Sequence, residues 1–277
     1  MALPYWLTPG ASTIGSAMAE VDSLSESCVR ARRLASTTVT PERSGRLGVG
    51  IIGAGRVGPV LGAALAGAGH AIVGVHAVSD SGRERAADML PGAPLLDVRQ
   101  LLERSELVVV AIPDSELQGF VAGLAALGAW QPGQLLVHTA PGFGVSVLEP
   151  AARQGAIPLA IHPAMSFTGT RLDLARMAET YFAVTAPAPV QPIGQALVVE
   201  MGGEPIVVAE EDRAQYAEAI ATATTFSRAI VDQATGILAA IGFERPGAFL
   251  GSLVRSTVDE ALRRTAPSEI ELPEELP

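Results

Sequence analysis

From Leu47 onward, short apolar runs alternate with helical stretches. The runs are LGVGII (47–52), AIVGVHAV (71–78), LVVVAIP (107–113), QLLVHTA (134–140) and IPLAIHP (157–163), with YFAVTA (181–186) and PIVVA (205–209) as two further candidates. Each is four to eight residues long, bounded by Gly, Pro or polar residues, and apolar without polar alternation through its centre. That is the signature of a strand covered on both faces. Between them lie VGPVLGAALAGAG, which ends at Gly69, SGRERAADML (81–90), Glu116–Leu127 and Val190–Met201, all of helical period. Ser81, with Glu84 three residues on, is the expected N-cap of the second of these. Strands alternating with helices predict a parallel, doubly wound α/β sheet.

After Glu210 the strands stop. Residues 211–243 can form one helix of about 50 Å, with Ile220, Thr224, Ser227, Val231, Ala234, Leu238 and Ile241 on one stripe and Gly242 suited to the position after its end. Phe249–Arg264 predicts a second helix. The tail SEIELPEELP is acidic and reads as disordered. Before Leu47 the chain is rich in Ser, Thr and Ala without a sustained period, and reads as an irregular extension with one short helix near Ser23–Leu34. The expected organisation is therefore an extension (1–45), a doubly wound domain (46–209) and a smaller all-helical domain (210–277).

Composition narrows the chemistry. Hydrophobic residues make up 48% of the 277 and charged residues 17%, which excludes a wholly disordered chain. The formal charge of −10 argues against a nucleic-acid partner. All 19 basic residues are Arg, so no catalytic, Schiff-base or phosphate-binding Lys exists. Cys28 is the single cysteine, which removes disulfides and multi-cysteine metal sites and fits a cytoplasmic setting. Val57–Ser79 and Leu117–Leu148 carry no formal charge and exceed the roughly 20 residues of a membrane span. Glycines and prolines cut both stretches, so no membrane association is expected. The first ten residues lack the basic start and apolar core of a secretion signal.

The strongest motif is Gly53-Ala54-Gly55-Arg56-Val57-Gly58, a GxGxxG between a strand and a helix. Gly53 permits the tight turn, Gly55 lets backbone approach a pyrophosphate, and Gly58 lets the helix pack close to the sheet. Free N–H groups at the helix N-terminus complete an anion site. An NAD site usually has a carboxylate at the end of the second strand; here Ser79 stands there, with Arg83 and Arg85 behind it. Arg pairs bidentately with a 2′-phosphate, which favours NADP. Asp80 is the counter-evidence, since a shift of one residue restores the NAD pattern.

Ligands in such sheets bind beyond the carboxyl ends of the strands. Those ends carry Pro113-Asp114, His138-Thr139 and His162-Pro163, the last followed by Ala164-Met165-Ser166-Phe167. Pro113, Asp114 and Thr139 are candidate cofactor contacts. His162, His138 and Ser166 are candidate catalytic residues, because imidazole titrates near neutral pH. The alternative for both histidines is a buried, hydrogen-bonded role in positioning loops. His70 is read as structural; His76 stays ambiguous. There is no HExxH, no His pair at helical spacing and no GxSxG, so neither a metal site nor a serine nucleophile is expected.

GIIGAGRVG, VAIPDSEL, LLVHTAPG and HPAMSF, in that order, resemble the Rossmann-like oxidoreductases that carry a C-terminal domain of unknown function. That family is similar to the 6-phosphogluconate dehydrogenase-like group, near ketopantoate and pyrroline-5-carboxylate reductases. The resemblance implies a Rossmann domain, an all-helical C-terminal domain, a cleft between them and dimerisation through the helices. This chain departs from the pattern on the long helix, where Tyr216 is followed by Ala217 rather than His, and a later Asn is matched by Thr225. GSLVRST (251–257) retains the C-terminal element only in part. The function expected is an NADP-dependent oxidoreductase moving a hydride between nicotinamide and a small carbonyl or imine. His162 would donate the proton, Ser166 would hold substrate or His162, and Thr222 and Thr225 would line the far wall. The alternatives are a non-catalytic dinucleotide-binding or sensing protein and a deazaflavin-linked NADP reductase.

Overall fold

The computed structural model describes residues 46–265. The expectations for the extension, its short helix and the acidic tail lie outside those residues.

Seven strands form one sheet in the order β2-β1-β3-β4-β5-β6-β7. They are β1 (Gly48–Ile52), β2 (Ala71–His76), β3 (Leu107–Val110), β4 (Leu135–His138), β5 (Ile157–Pro163), β6 (Tyr181–Thr185) and β7 (Glu204–Val207). β3 and β4 are buried at every position, as runs without polar alternation require. Pairing is parallel from β2 through β5. β6 then runs antiparallel to β5, with His162 opposite Ala183, and β7 is parallel to β6. The expected parallel sheet holds in five of the six pairings and is corrected at this one. Ala164–Thr180, with its six-residue helix, stays at the carboxyl end of β5 and feeds β6 back from that same end.

The connecting helices are α1 (Gly58–Gly67), α2 (Asp80–Met89), α3 (Val98–Arg104), α4 (Asp114–Ala126), α5 (Glu149–Ala152), α6 (Leu172–Met177) and α7 (Gln191–Glu200). Ser79, not Ser81, caps α2: its Oγ accepts from the Gly82 N–H. One core packs Val60, Leu61 and Leu65 of α1 and Leu197 and Val198 of α7 against β1, β5 and β6. The other packs Leu101 and Leu102 of α3 and Leu117 and Val121 of α4 against β3 and β4. The sheet is thus covered on both faces, as the doubly wound reading requires.

α8 (Arg213–Ala240) and α9 (Pro246–Thr265) follow as a helical hairpin. Ile241 caps the C-terminus of α8, and Gly242 has φ +93°, the left-handed conformation expected after a helix. Among the described residues no helix is long and apolar enough to cross a membrane.

Candidate dinucleotide and substrate site

Strand order reverses between β1 and β3, and a crevice opens there beyond their carboxyl ends. The glycine turn lines it. Gly53 has φ +99°, and a Cβ there would collide with the Ala111 carbonyl at the end of β3. A Cβ on Gly58 would strike the Gly53 carbonyl, so α1 can start this close to the sheet only with glycine. Around Gly55 a Cβ would meet nothing within 4 Å, which leaves open space over the backbone. α1 begins after Val57 with no side chain capping it and with Pro59 in its first turn. Its amides face the crevice as a positive helix end. Gly53 and Gly58 therefore take the turn and packing roles their spacing predicts, and Gly55 leaves the backbone between them uncovered.

A cavity of about 540 Å³ extends from this turn. Gly53 to Arg56 form its floor, Val78, Ser79, Ser81 and Arg85 its β2 side, and Pro113, Glu116 and Phe120 its α4 side. Arg85 is half-buried and donates from Nη1 to the Ala54 carbonyl at 2.9 Å. Arg83 is placed elsewhere: it pairs with Asp80 outside this lining. The same pair draws off the one carboxylate that argued for NAD. Asp80's side chain is 92% exposed and contributes nothing to the cavity wall.

A second, inner cavity of about 250 Å³ adjoins the first across Gly55, Arg56, Ala111 and Ile112. Val57, Asp114, Thr139, His162, Met165 and Phe167 line the rest of it. Partial burial pushes the Asp114 carboxyl upward. Met165 and Phe167 face inward while Ser166, between them, is exposed and stands outside this wall. Ser166 thus does not share the cavity with His162 as the sequence reading expects.

The two strand-end histidines differ sharply. His138 is fully buried, its Nε2 2.8 Å from the Gly144 carbonyl and its Nδ1 accepting the Ala140 N–H at 3.2 Å. A carbonyl acceptor on one side and an amide donor on the other fix the Nε2–H tautomer. With both nitrogens spent on the loop after β4, His138 positions that loop, the alternative noted above. His162 lines the inner cavity, and its Nδ1 lies 2.8 Å from the Tyr216 hydroxyl in the first turns of α8. Burial, and next the charge of Arg213, hold each imidazole's pKa at about 4, so both are neutral at pH 7. His162 can pass a proton as a neutral hydrogen-bonded pair with Tyr216, not as a standing imidazolium.

Arg213 and Glu210 complete the surroundings, and neither was singled out from the sequence. Arg213 is 2% exposed. Its Nε donates to Thr185 Oγ1 at 2.7 Å, and one Nη donates to the Ala160 and Ala183 carbonyls at 3.0 and 3.2 Å. Glu210 accepts the Val145 and Ser146 amides at 2.6 and 3.0 Å. The first turn of α8 is thereby tied to β5, β6 and the loop after β4. One local signal for Arg213 existed: a cation at the first position of a helix opposes the macrodipole, so it needs another reason to be there. Thr222 and Thr225 lie on the exposed part of α8, away from both cavities. His70 accepts the Leu47 amide and pairs with Glu200, a structural setting; His76 lines the outer cavity. Among the described residues no cluster of three or more His, Cys, Asp or Glu could hold a metal.

Residues 34–163 match the model of a Rossmann-like domain, and residues 180–270 match a domain of unknown function, DUF2520. No curated protein matches the chain. Among solved structures, a Bacteroides fragilis protein named provisionally as an NADP oxidoreductase superposes with a TM-score of 0.65 at 20% identity, covering 81% of this chain and 82% of that one. The Myxococcus stipitatus imine reductase in complex with NADP+ gives 0.58 at 21% identity over 82% and 81%. A Plasmodium falciparum pyrroline carboxylate reductase with NADP bound gives 0.56 at 12% over 80% and 80%. The chain joins a Rossmann-like domain to a DUF2520 domain.

Proposed function

We propose that the protein is an NADP-dependent oxidoreductase acting on a small carbonyl or imine compound. The observation that carries this reading is the unobstructed backbone of Gly55, at the head of α1 and in the floor of both cavities. A cradle that a Cβ would fill fits a pyrophosphate, and the two adjoining cavities fit a dinucleotide and a smaller second ligand. The likeness to structures with bound NADP supports the same assignment. Gly53 to Gly58 would hold the phosphates. Ser79, Ser81 and Arg85 would face the 2′-position, and Pro113, Asp114 and Thr139 would border the nicotinamide end. When bound, the nicotinamide supplies a hydride. The His162–Tyr216 pair supplies the proton and holds the substrate atom that receives it. Two copies of the chain would associate through α8 and α9.

Titration with NADPH and NADH, followed by nicotinamide fluorescence, tests the cofactor half. Losing one charge-assisted contact costs about 1.5–3 kcal/mol, so NADPH should bind at least about tenfold more tightly than NADH. Arg85→Ala should erase most of that difference, and Arg83→Ala should leave it. Equal affinities in the native protein would remove the NADP preference, and binding of neither nucleotide would remove the whole reading.

A further inference from the structure

The proposed function leaves two classes of reducible bond, C=O and protonated C=N, and the charges around His162 separate them. Arg56 and Asp114 are the two formal charges lining the inner cavity, and they are of opposite sign. Behind its wall lies a less balanced charge. Arg213 is buried, its other Nη has no hydrogen-bond partner, and its three hydrogen bonds end on neutral oxygens. Glu210 offsets part of that charge from a distance: it acts on Arg213 without forming an ion pair with it, its oxygens meeting the Val145 and Ser146 amides. The Arg213 Cζ stands 5.8 Å from the Tyr216 ring centroid, and the Tyr216 hydroxyl meets His162 at 2.8 Å. At pH 7, where His138 is neutral, the charge that acts on His162 is that of Arg213, and it opposes a proton there. Burial is the larger cause of that opposition and Arg213 the next, and both act in the same way against a cationic ligand placed beside His162.

We propose that the inner cavity takes its substrate as an uncharged or anionic carbonyl compound and rejects a protonated imine. The inference rests on the oxidoreductase reading. Adding a hydride to a carbonyl carbon breaks the C=O π bond, forms C–H and leaves the electron pair on oxygen as an alkoxide. That oxygen takes the proton of the Tyr216–His162 pair, which regains one from water. The hydride comes from the reduced nicotinamide, which is oxidised as the carbonyl is reduced. Negative charge then develops where Arg213 makes the field positive, which favours the transition state. An iminium carries its positive charge into the same field before any hydride arrives, and pays for entry.

Two five-membered rings of similar size serve as probes: cyclopentanone, a neutral carbonyl, and pyrrolidinium, a cation at pH 7.5. Saturation-transfer NMR titrations are run on the full chain with and without NADP+, whose own binding is followed by calorimetry. Cyclopentanone should bind at least about tenfold more tightly than pyrrolidinium, a difference of about 1.4 kcal/mol. Tyr216→Phe should weaken cyclopentanone several-fold and leave NADP+ affinity unchanged. Equal or tighter binding of pyrrolidinium overturns the inference, as does binding of neither ring or indifference of cyclopentanone to Tyr216→Phe. Failure of NADP+ to bind counts against the oxidoreductase reading instead, and the ring comparison is then scored on the unloaded protein.

Discussion

At the scale of single residues, the histidines at the ends of β4 and β5 make the molecule acid-sensitive. Both have pKa values near 4, against 6.5 for an unperturbed imidazole. Between those values the unfolded chain takes up protons that the folded chain refuses. Stability is therefore whole above pH 6.5 and falls as pH drops towards 4. Each histidine contributes about 1.4 kcal/mol per pH unit across that window. Urea unfolding at pH 5.0 should show about 2 kcal/mol less stability per histidine than at pH 7.5, and His138→Gln should remove its share of the slope. A profile flat between those pH values would contradict the buried, neutral assignment. Gly58 gives a second prediction. Gly58→Ala drives a methyl into the Gly53 carbonyl and should cost about 1–3 kcal/mol, read as a lower urea midpoint with unchanged slope. The glycine turn was legible in the sequence because its chemistry is local, three glycines between one strand and one helix. Tyr216 was noted as part of a pattern and given no role, since its partner His162 lies 54 residues away. Nor does the sequence show that Ser166 faces outward between two inward-facing neighbours.

At the scale of elements, the outcome turns on where the start of α8 is fixed. Glu210 grips the loop after β4 by two amides, and a Cβ on Gly144 would occupy the space of its carboxylate. The amide of Glu210→Gln offers one acceptor oxygen where the carboxylate offers two. One of the Val145 and Ser146 amides loses its partner, and a charge-assisted bond becomes neutral, which costs about 1–3 kcal/mol. Circular dichroism should record that loss on thermal unfolding, while NADPH affinity, set by the glycine turn, should hold. A variant as stable as the native chain would show that the clamp carries no weight. The core strands were readable because uninterrupted apolar runs have few other solutions. The direction of β6 was not: buried on both faces, YFAVT reads the same in either orientation. α3, with seven residues, is two turns long and too short for its period to stand out.

At the scale of the whole molecule, the helical hairpin is the part that buries least of its own surface. α9 buries none of its residues, and α8 buries only Arg213. Phe226, Ile230 and Ile237 on α8 and Phe249, Leu253 and Leu262 on α9 are each 60–64% exposed. Six such side chains at roughly 100 Å² each come to about 600 Å², the upper end of the largest apolar patch a monomer usually exposes and about three quarters of the ~800 Å² that each partner contributes to a standard interface. In the proposed dimer a second copy would meet an identical apolar face, and a two-fold axis would let each hairpin cover the other. The two helices carry both signs of charge, Glu218, Arg228 and Asp232 on α8 and Arg255, Asp259 and Arg263 on α9, so like-charge repulsion does not bar the pairing. Light scattering coupled to size exclusion should therefore give twice the chain mass of 28.5 kDa. Ile237→Glu puts a carboxylate into the middle of that face and should shift the protein to the single-chain mass. The glycine turn is on another element, so the variant should still bind NADPH. A native protein that runs at one chain mass at micromolar concentration would leave those six side chains in water and remove the dimer from the proposal.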